Sequence, residues 1–281
     1  MMRDWLQLSR PPSQLYILIP LFFGWFLAGA GSTVSLSQLM LFGFCFHFVT
    51  VCVNDLVDVE ADTINPHPTC FSGGSRVLVE RKLTKKSIYI AVLVMFFLSM
   101  WTANAVGHSV VVLAVVGYVL LALYCLKPFQ MSYRGYGEWL QALGMGGVLP
   151  IIGWSFLKDW RLFHGEWLSV LLPLHYSLAC VTTLPDVEGD TVADKNAIAV
   201  RLGPKKTVFR LCMVAIAAWC VALWFGFLEG RSCLFLSLCT LFSSVGLLSS
   251  TANIKQQLSI GLFISLVLGM HGVWIYFFFV L

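Results

Sequence analysis

Two long stretches of this chain, residues 11–54 and 87–126, contain no charged residue. Each is about twice the roughly 20 residues that an α-helix needs to cross the hydrocarbon core of a bilayer, so each predicts a helical hairpin. The turns are expected near residues 29–37 and 105–109. Five shorter uncharged stretches follow, at residues 139–157, 167–185, 211–228, 232–254 and 256–281, and each fits one crossing. The prediction is an all-α, polytopic membrane protein with about nine transmembrane helices. Composition agrees: 58% of residues are hydrophobic and only 11% are charged, against about 25% charged in an ordinary soluble domain. A soluble enzyme, a coiled coil and a disordered chain are poor fits. Continuous rather than alternating apolar runs also exclude a transmembrane barrel.

Charge placement orients the chain. With nine alternating spans, only Lys158, Arg161 and Arg231 of the 18 Lys and Arg fall on one side. The basic side faces the cytoplasm, which places the N-terminus inside and the C-terminus outside an inner-type cell membrane. No cleavable signal peptide is expected, and residues 1–281 form one transmembrane domain. Gly144, Gly146, Gly147, Pro150 and Gly153 predict a kink or a close helix contact in the fifth span. The nine cysteines form no CxxC pair and are expected to be small packing residues.

Most of the 14 acidic residues stand in two clusters, each at the cytoplasmic end of a span. NDLVDVEAD supplies Asn54, Asp55, Asp58, Glu60 and Asp62. If the helix continues, Asn54, Asp58 and Asp62 share a face at four-residue spacing. PDVEGDTVAD repeats that spacing with Asp186, Asp190 and Asp194, and leaves Glu188 pointing elsewhere. Stacked like charges destabilise a bare helix, and the cost rises near a membrane unless a cation neutralises them. Mg²⁺ suits this oxygen-only set, because it is held by one or two carboxylates together with waters and phosphates. The bland alternative is a pair of solvated acidic helix ends. Cations follow both clusters. Gly73 and Gly74 allow a tight turn that brings Ser75 and Arg76 toward a phosphate. The next basic loop adds Tyr124, Lys127, Tyr133 and Arg134, and Lys195 and Arg201 follow the second cluster. Arg81, Lys82, Lys85, Lys86, Lys205 and Lys206 are expected only to signal topology. His47 lies seven residues before Asn54, on about the same helix face and deeper in the span; it could border a cavity, but a packing role is expected.

These residues resemble the UbiA superfamily of intramembrane prenyltransferases. Residues 54–62 match its NDxxDxxxD motif and residues 186–190 its DxExD motif. The resemblance is closest to the 1,4-dihydroxy-2-naphthoate polyprenyltransferase branch of menaquinone synthesis. GGSRV at residues 73–77, Tyr124 with SYRGYGE at 132–138, DKNAIAVRLG at 194–203 and Arg10–Pro11 carry it. It covers nearly the whole chain in order.

The resemblance implies helices around a central cavity that opens to lipid, and Mg²⁺-dependent transfer of a polyprenyl group from its diphosphate to an aromatic acceptor. Asn54, Asp58 and Asp62 would hold the metal from one side, Asp186 and Asp190 from the other. Arg76, Lys127 and Lys195 would grip the diphosphate, and Tyr124 would line the reacting end. Asp55 is a candidate base for an acceptor hydroxyl, or else part of the metal shell or a partner of a basic loop. In the naphthoate branch the attacked ring carbon also loses CO₂. Thr183, Pro185, Asp194 and Ala197 depart from the branch pattern and bear on acceptor choice. The partners implied are a polyprenyl diphosphate, an aromatic acceptor and membrane lipid, with no nucleic acid. Other acceptors (4-hydroxybenzoate, homogentisate, a haem vinyl group, a glycerol phosphate lipid) stay open. So do a secondary transporter and a lipid-binding scaffold, although a transporter would place its carboxylates nearer the bilayer midplane.

Overall fold

The computed structural model describes residues 2–65, 74–227 and 230–247, together with Phe263 and Val267. Secondary structure in these residues is helical. Helix α1 is Met2–Leu8, followed by a 3₁₀ turn at Pro11–Gln14. Helices α2 (Leu15–Leu27) and α3 (Thr33–Val57) form the first hairpin; Ser32 caps α3 by accepting the Ser35 amide at 3.3 Å. Helix α4 (Val59–Ile64) is short. Helices α5 (Lys85–Val106) and α6 (His108–Cys125) form the second hairpin. It reverses at Gly107, whose φ of 154° and ψ of 168° suit glycine alone. Then come α7 (Gly137–Ala142), a π turn at Leu143–Val148, and α8 (Leu149–Ser155). Helices α9 (Glu166–Thr182), α10 (Val187–Val192), α11 (Ile198–Leu202), α12 (Pro204–Trp224) and α13 (Gly230–Leu247) complete the described chain.

The chain is an integral membrane protein with several apolar helices. Among the described residues, four helices are long and apolar enough to cross a bilayer: α3, α5, α6 and α12. The other crossings predicted within the described residues fall on shorter or interrupted helices. Pro11 and Pro12 turn the first stretch into a 3₁₀ start, so the apolar helical run there is Pro11–Leu27. The glycines of the fifth stretch coincide with the π turn. The predicted ninth span and the end of the eighth lie outside the described residues, Phe263 and Val267 excepted.

Three buried clusters hold the bundle. Leu171, Leu174, Ala215 and Trp219 join α9 to α12, and Trp219 Nε1 donates to Thr240 Oγ1 of α13 at 3.1 Å. Leu21, Phe42, Phe46 and Ile152 join α2, α3 and α8. Leu8, Phe48, Cys52 and Ile88 pin α1 to α3 and α5. Among the described residues, six cysteines are buried: Cys45, Cys52, Cys125, Cys180, Cys212 and Cys233; Cys220 is exposed.

Helices α2 and α8 touch backbone to backbone. A Cβ on Gly24 would overlap the Pro150 carbonyl, and a Cβ on Gly153 would overlap that of Leu21. Neither partner atom belongs to a side chain that can swing away. Gly153→Val is therefore expected to cost about 3 kcal/mol, the upper range for overpacking, read as a lower thermal midpoint in detergent. Gly165→Ala, where a Cβ meets nothing within 4 Å, is expected to leave it in place.

Candidate active site

The first acidic cluster does not continue as one helix. Asp58 ends α3 and starts α4 with φ −90° and ψ 9°, so the predicted three-residue stack is broken at its middle member. The break turns α4 toward α10, where Asn65 Nδ2 donates to Asp186 Oδ1 at 2.8 Å. Gly189 permits the approach, since a Cβ there would stand 3.1 Å from Asn65. The second cluster is likewise shorter than its spacing predicts. Asp190 lies in α10, but Asp194 sits beyond it, exposed, at φ 53°.

Lys195 joins the two clusters. Its Nζ lies 3.3 Å from Asp58 Oδ2 and 3.7 Å from Asp190 Oδ1, with its side chain 15% exposed. Tyr133 donates to Asp58 Oδ1 at 3.0 Å, and Lys195 Nζ stands 5.4 Å from the Tyr133 ring centroid. The loop carrying Tyr133 is tied to the second cluster by the Asn196 amide, which donates to the Tyr133 carbonyl at 3.0 Å.

Both clusters open on one cavity of about 280 Å³. Asn54, Asp58, Asp62, Asp186, Asp190, Lys195 and Tyr124 all line it, as the sequence predicts for a shared site. Its deeper wall is apolar, with Ile17, Phe46, Leu120, Leu121 and Val148. The charges on the wall do not balance: among the described residues, Asp58, Asp62, Glu138, Asp186 and Asp190 face only Arg10 and Lys195. The excess shows in the carboxyls. Burial, with Asp55 and Asp58 nearby, pushes Asp62 up to about 7. Burial also pushes Asp190 up to about 7; Lys195 opposes the shift, while Asp186, Asp58 and Glu138 add to it. Burial disfavours the Lys195 charge, yet Asp58, Tyr124 and Asp190 hold its ammonium well above the ordinary value.

Other predicted residues stand off the cavity. Asp55 is buried and paired with Arg10, and it accepts the Ser75 amide at 3.2 Å. Its carboxylate is occupied by Arg10 and the Ser75 amide, away from the cavity wall. Ser75 is buried, and Arg76 donates to the Asp62 carbonyl from behind the wall. Lys127 and Arg134 are exposed and do not line the cavity, and Arg134 donates to the Pro128 carbonyl at 2.7 Å. Gly73 lies outside the described residues. His47 is buried, with Nε2 2.9 Å from Ser13 Oγ, which fits packing.

Several wall residues escaped the sequence analysis: Glu138, Gln141, Ser13, Thr182 and, as a charge in the cavity, Arg10. Only Arg10 and Glu138 carried a signal, as members of quoted motifs. Of the four positions that depart from the branch pattern, Thr183 and Ala197 line the cavity.

A family model described as the UbiA prenyltransferase family matches residues 17–259. The chain belongs to the UbiA prenyltransferase family. Its activity class is therefore prenyl transfer. Solved structures agree at the level of fold. A UbiA homolog from Archaeoglobus fulgidus, bound to DMAPP and Mg²⁺, superposes with a TM-score of 0.69 at 16% identity, over 97% of this chain and 99% of that one. A structure described as digeranylgeranylglyceryl phosphate synthase gives 0.68 at 16% identity, covering 98% of each chain. The apo UbiA homolog from Aeropyrum pernix K1 gives 0.68 at 13%, over 93% and 97%. A comparison with curated protein sequences finds no significant match.

Proposed function

We propose that this UbiA family member transfers a polyprenyl group from an isoprenyl diphosphate to an aromatic acceptor, with Mg²⁺, and that the acceptor is 1,4-dihydroxy-2-naphthoate. The observation that carries it is the meeting of both acidic clusters across one cavity, with Lys195 between them. We also infer nine spans, a cytoplasmic N-terminus and a C-terminus outside, from the distribution of Lys and Arg.

The residues fit a divalent cation. Among the described residues, no three His, Cys, Asp or Glu already converge as a closed metal cage. An open set of aspartates is what Mg²⁺ uses when phosphates and waters complete its shell. The surplus of acidic over basic wall residues would repel a diphosphate that arrived without cations. Asn54, Asp58 and Asp62 would hold the metal on one side, and Asp186 and Asp190 on the other. Bound there, Mg²⁺ supplies Lewis-acid stabilisation of the negative charge that builds on the diphosphate as the allylic C–O bond breaks. Lys195 adds a fixed positive charge at the same end. The apolar wall keeps water from the allylic cation, so the electron-rich acceptor carbon is the nucleophile that reaches it.

Protons and metal compete for these carboxylates. Asp62 and Asp190 are half-protonated near pH 7 without metal. Each folded value lies above the ordinary carboxylate value, so these groups stabilise the metal-free protein less as pH rises toward and through 7. Metal binding needs the deprotonated forms and reverses the sign. The rise in thermal midpoint on adding Mg²⁺ is expected to be clearly larger at pH 8 than at pH 6, measured on one detergent preparation.

The function itself is tested by offering vesicle-reconstituted protein one labelled isoprenyl diphosphate and a panel of acceptors. The panel holds 1,4-dihydroxy-2-naphthoate, 4-hydroxybenzoate, homogentisate and a glycerol phosphate lipid, with products identified by mass. A prenylated naphthoate product supports the acceptor assignment. Product with another acceptor alone replaces it. No Mg²⁺-dependent diphosphate release overturns the reading.

A further inference from the structure

Tyr124 stands in the last turn of α6, where the wall of the cavity changes character. The same wall carries Asp58 and Lys195; one turn back along the helix lie Leu120 and Leu121. A prenyl diphosphate whose charged head meets the first pair and whose tail meets the second puts its scissile C–O bond beside Tyr124. The residue is held firmly there. Its backbone carbonyl accepts both the Ser132 amide at 3.2 Å and the Ser132 hydroxyl at 2.8 Å. A Cβ on Gly137 would crowd its ring at 3.1 Å, so the ring lies close against α7. Gln141 Nε2, one turn along α7, donates to the Tyr124 hydroxyl oxygen at 2.9 Å. Both side chains line the cavity. A phenol oxygen that accepts from an amide keeps its own hydrogen to donate.

We propose that Gln141 is a positioning residue that turns the Tyr124 O–H into the cavity, where it donates to the leaving oxygen of the prenyl diphosphate. As the C–O bond breaks, its electron pair goes to that oxygen. The Tyr124 hydrogen bond strengthens with the growing charge, and the hydrogen stays on Tyr124. This rests on the prenyl-transfer reading above, and Gln141 acts only through Tyr124.

The test compares kcat and the donor KM for wild type, Tyr124→Phe, Gln141→Leu, Gln141→Glu and the double variant Tyr124→Phe with Gln141→Leu. Tyr124→Phe is expected to lower kcat about 100-fold, the scale for removing one oxyanion donor, with KM little changed. Gln141→Leu lowers kcat roughly tenfold, since the O–H keeps its donor but loses its aim. Gln141→Glu, of the same shape, lowers it at least as far, because a carboxylate accepts the phenol hydrogen and draws it from the cavity. In the Tyr124→Phe background the Gln141→Leu cost falls below about twofold, the mark of two residues acting as one. Wild-type kcat in both Gln141 variants overturns the proposal, as does a Gln141→Leu cost that persists without the Tyr124 hydroxyl. If the leucine variant does not fold, Gln141→Glu decides. A wild-type protein with no turnover overturns the prenyl-transfer reading, and this proposal with it.

Discussion

Asp58→Asn is expected to lower kcat/KM for prenyl transfer about 1000-fold while the protein stays folded. The size follows from removing a charge that faces the departing diphosphate, through its metal, in a site with little water. The folded state survives because Asn has the same shape and its Oδ1 still accepts from Tyr133. Lys195 keeps Asp190 as a partner at 3.7 Å. The measurement is an initial rate with saturating Mg²⁺, paired with a thermal midpoint within a few degrees of wild type. Asp190→Asn is expected to fall in the same range, since it faces Asp58 across Lys195. Full activity in either variant would remove the two-sided metal clamp and leave Lys195 as the main phosphate contact.

Lys195→Met strikes stability and activity together. It removes the positive charge between Asp58 and Asp190, and among the described residues leaves five wall carboxylates facing Arg10 alone. Breaking a buried ion pair from one side costs about 3–5 kcal/mol. The slight solvent access of this site brings the expected loss to about 2–3 kcal/mol. The diagnostic is the metal response. Mg²⁺ is expected to raise the midpoint of Lys195→Met by more than that of wild type, because the ion replaces the missing cation. Turnover stays low even so, since the fixed charge that meets the diphosphate is gone. An equal metal response in both proteins would mean that Lys195 and the metal do not share these carboxylates.

Much of this architecture was legible in the sequence, for a physical reason. A bilayer tolerates no unpaired charge, so residues 11–54 and 87–126 announce helices by what they lack. The first hairpin turns at residues 28–32, overlapping the expected 29–37, and the second at Gly107, inside the expected 105–109. Asp58, Asp62, Asp186 and Asp190 reach the cavity, although the helix breaks at Asp58 and Asp55 turns away to Arg10. What failed was long-range or local in a way that spacing does not encode. Asn65 meets Asp186 across 121 residues, and nothing near Gln141 marks it as a partner of Tyr124. Lys127 and Arg134 carry the right charge in the right loop, yet they project outward. Arg76 is spent on the Asp62 carbonyl. The break at Asp58 is a backbone event, and a run of aspartates and valines gives no glycine or proline to betray it.

The contact between α2 and α8 reaches beyond stability. Ile17 and Leu149 belong to the cavity wall, and Gly24 and Gly153 follow them along the same two helices. At these two glycines the helices lie backbone against backbone, which leaves no room there for a lipid chain. On the prenyl-transfer reading proposed above, an isoprenoid entering from the bilayer would need a different gate. On the same reading, selection by tail length would fall to side chains elsewhere, since this flank is as unyielding as the backbone itself.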